Sequence, residues 1–303
     1  MMTRAKATWA GRTAAIAAVL LASTAGHAQA PPAPGGAPAP RRVLTQQQID
    51  GLAHKHEGYY GALAPQNLRK PRKKAPFDVT GAWFIDLHEG FDKFMFGPPY
   101  PEFYEPGKTA MKDAEEAAKK GERYRDSIGM CFPAGMPMIM TRVWPIGMIQ
   151  LPTAIYMVFG FTNSLRIIYL DGRKHSDPDI VVPSYNGESI GHWEGDTLVV
   201  STKYLEPNEH WIDRGIPISD QFELTERMRM LDKGKTLEIQ YIMTDPKMWK
   251  GEWRSTKRWI RQDYSDIPEV ECLPNLNQHL PSTAEGHAAV EAREAAKGTA
   301  PAK

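Results

Sequence analysis

An all-β domain, mostly antiparallel, is what this sequence predicts: a lipocalin-like up-and-down barrel or a strongly curved sheet with one short helix. The first observation behind it is period-two alternation over 77–87, where Phe77, Val79, Gly81, Trp83, Ile85 and Leu87 fall on one face. The second is the set of runs 222–230, 236–244 and 253–261, joined only by the turn pairs Lys233-Gly234 and Asp245-Pro246. Connections that short make neighbouring strands antiparallel. The third is 184–202, where a Glu194-Gly195-Asp196 turn feeds the β-branched run Thr197-Leu198-Val199-Val200-Ser201-Thr202.

Further strands are expected over 154–161 and 165–170, parted by the turn residues Thr162-Asn163-Ser164, and the second is closed by Asp171-Gly172-Arg173. The run 136–150 is interrupted by Pro137 and Pro145, and 108–120 carries the Ala-rich spacing of a helix. About seven or eight strands and one helix are most economically arranged as a barrel or curved sheet, which removes exposed edges and can hold a small ligand.

The rest of the chain bounds location and partners. Arg4, Lys6 and Arg12 precede an apolar run over 14–23 and a small-x-small site at Ala28-Gln29-Ala30, the pattern of a signal peptide over 1–30. The protein is therefore expected in the periplasm or outside the cell. No later stretch reaches the ~18 apolar residues of a spanning helix, so no membrane insertion is expected. Residues 31–75 read as a Pro-rich linker and basic lead-in, with a short helix over 44–56 capped by Thr45, 76–279 as a single β-rich domain, and 280–303 as a disordered tail. The basic run 69–74 reads as a solvated segment, because a net charge of +1 argues against nucleic acid as a partner.

DGRKH (171–175), SIGHWEGDTLVVST (189–202), ERMR (226–229), TDP (244–246) and CFPAGMP (131–137) together resemble a large uncharacterised family of secreted proteins of proteobacteria and acidobacteria. The resemblance covers most of the expected domain, and it implies secretion but no particular activity. This chain carries Glu188 where the family pattern has histidine, His192 where it has arginine, and Ser176 where it has proline.

Candidate chemistry begins with Glu226, which alternation places on the same inward face as Phe222, Leu224, Met228 and Met230. An inward carboxylate must be paired or shift its pKa, so it is either half of an ion pair with Arg166 or Arg173 or a general acid or base. On 165–171, Arg166 lies on the face opposite Tyr169 and Asp171, and the Tyr169 face is expected to line the cavity. Tyr169, Asp171, His175 and Glu226 would then form a proton-transfer group for a cofactor-independent lyase, isomerase or hydratase. The alternative of a different class is a non-catalytic periplasmic binding protein for a small apolar or aromatic molecule. Trp193, His192, Arg166, Arg173, Glu188 and Met138 are the expected ligand contacts, with Trp193 either stacking a ligand or plugging the core.

Cys131 and Cys272 are the only cysteines, and an even pair in an oxidising compartment reads as a disulfide. Met130, Met136, Met138 and Met140 around Cys131 could hold Cu(I), although methionine is also the flexible filler of apolar cavities. His54-Lys55-His56 lacks a third ligand, so neither a zinc site nor any cofactor is read from the chain.

Overall fold

The computed structural model describes residues 58–88, 90, 95–120, 128, 131–213 and 215–272, together with 45 and 47. The expected leader, most of the lead-in including His54 and His56, Met130 and the expected tail lie outside these residues.

Among the described residues, nine strands close into one barrel. They are β1 (Gly81–Ile85), β2 (Ile146–Gln150), β3 (Ala154–Phe159), β4 (Leu165–Tyr169), β5 (Glu188–Glu194), β6 (Thr197–Lys203), β7 (Glu223–Leu231), β8 (Thr236–Thr244) and β9 (Glu252–Gln262), each bonded to its sequence neighbours, with β9 returning to β1. All neighbours run antiparallel except β4 and β5. A closed ring must reverse direction an even number of times, so a ring of nine strands requires at least one parallel joint. That joint is the long connection over 170–187, because a parallel pair cannot be made by a tight hairpin.

The parallel joint is also the thinnest. Only Ile168↔Ser189 and Tyr169↔Ile190 are in register between β4 and β5, whereas β7 and β8 are matched from Glu223↔Thr244 to Leu231↔Thr236. The hairpin of β5 and β6 turns at Gly195, whose φ of +61° suits a residue without Cβ.

The interior is filled by the barrel's own side chains. Trp83, Trp253, Trp259, Tyr241 and Phe159 are essentially inaccessible, and Trp249 packs edge-on to Trp253 with ring centroids 5.7 Å apart. Met136, Met138 and Met140 sit in this core, the last two on a 3-10 turn (Met138–Thr141). Met138, expected at a ligand, is packed in the core. Phe103 leads into the helix Glu105–Lys119 and meets Trp249 and Trp253 edge-on, which ties the helix's start to the aromatic core.

Cys131 and Cys272 are joined, with Cα atoms 5.5 Å apart across 141 residues of sequence, as expected. A disulfide of this kind belongs to an oxidising, non-cytoplasmic compartment. It also leaves Cys131 no thiol to offer a metal.

The lead-in does more than solvate. A short helix, Pro65–Leu68, follows a segment whose Ala62 is buried, and Thr153 Oγ1 donates to the Ala62 carbonyl at 2.7 Å. Residues 58–68, read from sequence as lying outside the domain, pack on the barrel wall beside β3 and β4.

Candidate functional site

Alternation along β4 sends Arg166 and Ile168 inward and Leu165, Ile167 and Tyr169 outward. The Tyr169 face, expected to line the cavity, lines a cleft on the outside of the wall and not the barrel interior. The interior face is the one that can pair its charge: Arg166 Nη1 donates to Glu226 Oε1 at 3.1 Å and Nη2 to Oε2, both residues being fully buried. Nε donates to Ser189 Oγ at 3.0 Å and Nη2 also to Thr202 Oγ1 at 2.9 Å. The guanidinium is thus enclosed by acceptors from β5, β6 and β7, the arrangement a buried ion pair needs to offset desolvation.

Glu226 is therefore inside, as alternation requires, and it is an ion-pair partner of Arg166. Its carboxylate, bound at both oxygens, has no open side for a substrate, so it is withdrawn from the catalytic group. Tyr241 lies beside Glu226 in register on β8, and burial followed by the Glu226 charge raises its phenol well above the usual range.

Tyr169, Asp171 and His175 lie on the other side of the barrel wall and do not meet Glu226. Asp171 accepts from Arg173 Nε (2.9 Å) and Nη2 (2.7 Å) and from Asn67 Nδ2 (2.8 Å). Burial pushes the Asp171 carboxyl up, but these donors outweigh it and hold the group below its ordinary value. Arg173 also donates to the Tyr60 carbonyl and lies over the rings of Tyr169 (3.8 Å) and Tyr59 (5.4 Å). Asp171 and Arg173 form a clasp that holds the lead-in and the 170–187 connection to β4.

His175 is brought to Glu188 and Ser201. Its Nδ1 is 2.8 Å from Glu188 Oε2 and its Nε2 is 3.0 Å from Ser201 Oγ. Glu188 also accepts from the Ser176 amide at 2.8 Å and from Ser176 Oγ at 2.6 Å. Burial pushes the Glu188 carboxyl up, but the bonds from His175 and Ser176 outweigh it and hold the group at about 2. Gly187 delivers Glu188 to this position: its φ is +61°, and a Cβ there would stand 2.5 Å from the Lys203 carbonyl. Tyr204 donates to the Ser176 carbonyl at 2.7 Å and sets its ring edge-on to His175.

His175, Ser176, Glu188 and Tyr204 form the polar end of an outer cleft of about 1220 Å³ along β4, beneath the 170–187 connection. Its apolar walls are Leu165, Ile167 and Tyr169 from the strand and Ile180, Val181 and Val182 from the connection. Ile180 is 63% and Val182 84% exposed, although both are aliphatic and stand at the rim.

Other expected contacts lie elsewhere. Trp193 is half-buried and packs edge-on against Phe77, with centroids 4.8 Å apart, so it plugs the core. His192 is exposed and pairs with Glu194 at 3.2 Å. Ser201 was not singled out from sequence, because within a β-branched run a serine looks like any outward strand residue. The signal that could have found it is parity: it sits two residues from Lys203, which pairs directly with Glu188, on the same outward face.

Neither a protein-family model nor a curated protein matches the chain.

Proposed function

We propose that this protein is an exported barrel that binds a small apolar or aromatic molecule in the outer cleft, with the His175 end taking the ligand's polar group. The observation that carries the reading is the juxtaposition, in one cleft, of the aliphatic wall of Leu165, Ile167, Ile180 and Val182 with the polar cluster of His175, Ser176 and Glu188. Binding sites combine an apolar body with a few convergent polar groups in this way. Export is supported by the leader pattern over 1–30 and by the oxidised cysteine pair.

Proton-transfer catalysis by the four-residue group loses its support, because Glu226 is closed by Arg166 on the far side of the wall. Copper binding through the methionine cluster loses support, because Met136, Met138 and Met140 are turned into the core.

The test is a titration with 1-anilinonaphthalene-8-sulfonate, a dye with an aromatic body and an anionic head. One saturable site is expected, weakened at least tenfold by Ile167→Asp with the far-ultraviolet circular dichroism unchanged. Equal dye affinity in wild type and Ile167→Asp would overturn the cleft assignment.

A further inference from the structure

His175 and Glu188 line the outer cleft, and Ser201 on β6 stands 3.0 Å from His175 Nε2 beside its polar end, so a serine, a histidine and a carboxylate meet there in the connectivity of a nucleophilic relay. We propose that Ser201 is a nucleophile, His175 its general base, and Glu188 the positioning residue, and that the cleft hydrolyses esters with an apolar acyl or aryl group. This rests on the reading of the cleft as the ligand site.

The connectivity follows from the donor inventory. An ionised Glu188 only accepts hydrogen bonds, so the His175 nitrogen facing it at 2.8 Å, Nδ1, carries the ring's proton. In the neutral ring Nε2 is then the acceptor, and the atom 3.0 Å from it is Ser201 Oγ, whose hydroxyl donates. A base within hydrogen-bond reach of a hydroxyl, itself oriented by a third group on its other nitrogen, is the geometry that activates serine. The three parts come from separate places, Glu188 from β5, Ser201 from β6 and His175 from the connection, so no local turn makes the alignment trivial. Glu188 also accepts two bonds from Ser176, which fix the carboxylate that in turn orients the ring. Both strand residues stand on a paired sheet, which fixes the nucleophile and the acid, while His175 is steadied by the edge of Tyr204.

The reaction balances without a cofactor. Ser201 Oγ attacks the ester carbonyl carbon while its proton passes to His175 Nε2, and the carbonyl oxygen becomes an oxyanion. Two cationic side chains line the cleft besides His175; Arg166 is turned inward to Glu226, which leaves Lys174 to oppose that charge. Collapse breaks the bond to the leaving oxygen, which takes the proton from His175 and departs as an alcohol or phenol. Water then attacks the acyl-serine, giving up a proton to His175, and the acid leaves as the proton returns to Ser201. The sum is ester plus water to acid plus alcohol.

The experiment combines p-nitrophenyl butyrate hydrolysis with labelling by a fluorophosphonate, read by peptide mass spectrometry, on the mature protein with its disulfide intact. Labelling is expected at Ser201, and Ser201→Ala should abolish it and lower hydrolysis at least a hundredfold. His175→Gln should do the same, and unchanged urea midpoints of the two variants would show that the fold is kept. Glu188→Gln should lower kcat tenfold or more with KM within twofold, and Glu188→Asp should recover part of the loss, which a merely structural carboxylate would not do. Hydrolysis no faster than buffer, or labelling that persists in Ser201→Ala, overturns the proposal. If wild type then still binds the dye and Ile167→Asp does not, the relay has failed and the cleft stands; if the dye ignores Ile167→Asp, the cleft has failed with it.

Discussion

Arg166 and Glu226 meet inside the barrel as a closed bidentate pair, reaching from β4 across β5 and β6 to β7. The parallel joint between β4 and β5 offers few backbone bonds, and the guanidinium bridges it from within through Ser189 on β5 and Thr202 on β6. The pair therefore acts as an internal tie across the weakest seam of the ring.

Removing one partner leaves the other charge buried and unpaired. Arg166→Met is expected to destabilise the protein by about 3 to 5 kcal/mol, and Glu226→Leu by a similar amount. The double variant should recover a large part of either loss, because no charge is then stranded. Urea unfolding of the four proteins checks this, and additive losses would show that the two residues do not act as a pair.

Reducing the disulfide should matter almost as much. Cys131 and Cys272 close a loop spanning 141 positions, and constraining a loop that long in the unfolded chain is worth about 2 to 5 kcal/mol. The Cys131→Ser, Cys272→Ser protein should lose that stability while keeping dye binding in the cleft, since neither cysteine lines it. Thermal unfolding with and without dithiothreitol should show the wild type falling to the double variant's midpoint.

How far these features could be read from the chain depended on the range of the interaction. Inward placement of Glu226, its partnership with an arginine and the cysteine pair were legible, because strict alternation and an oxidising compartment leave few alternatives. The parallel joint was not, since its direction follows from closing nine strands and no local residue pattern carries it. That the Tyr169 face lines a cleft outside the barrel while Arg166 points inward was not legible, for a related reason. Both faces are amphipathic, and the choice is made by a carboxylate sixty positions away, at Glu226. The contact of Ser201 with His175 was invisible because the histidine is carried over it by the 170–187 connection.

Acid should loosen the fold in two separate windows. His210 is buried and donates from Nδ1 to the Glu206 carbonyl at 2.8 Å, and desolvation by burial lowers its pKa to about 4. A base whose folded pKa is depressed is protonated first in the unfolded chain, so stability falls as pH drops from the ordinary histidine value of 6.5 toward 4. The loss across that window should be about 3 kcal/mol. Glu188, held at about 2, adds stability that is complete above the ordinary carboxylate value of 4.5 and is lost as pH falls from there toward 2. His210→Gln should flatten the upper window and leave the lower one, as read by urea midpoints from pH 7 to pH 3; an unchanged upper slope would exclude His210 as its source.

The clasp of Asp171, Arg173 and Asn67 ties the start of the 170–187 connection to the 58–68 segment and to Tyr169 of β4, and that makes the cleft's shape depend on it. Arg173→Ala removes both bonds to Asp171, the bond to the Tyr60 carbonyl and the cation over the Tyr169 and Tyr59 rings. Only two residue pairs are in register between β4 and β5, and the connection's other anchors lie at His175 and Ser176, so the clasp is what fixes its first residues. Amide hydrogen exchange in β4, β5 and 170–187 should accelerate at least tenfold in this variant, while β7, β8 and β9, which have long ladders, should change only by the drop in global stability. Dye affinity should fall in parallel, because Tyr169 and the connection form opposite walls of the same cleft. Uniform acceleration across all nine strands would mean instead that the clasp supports the barrel as a whole and not the seam, and affinity would then follow stability alone.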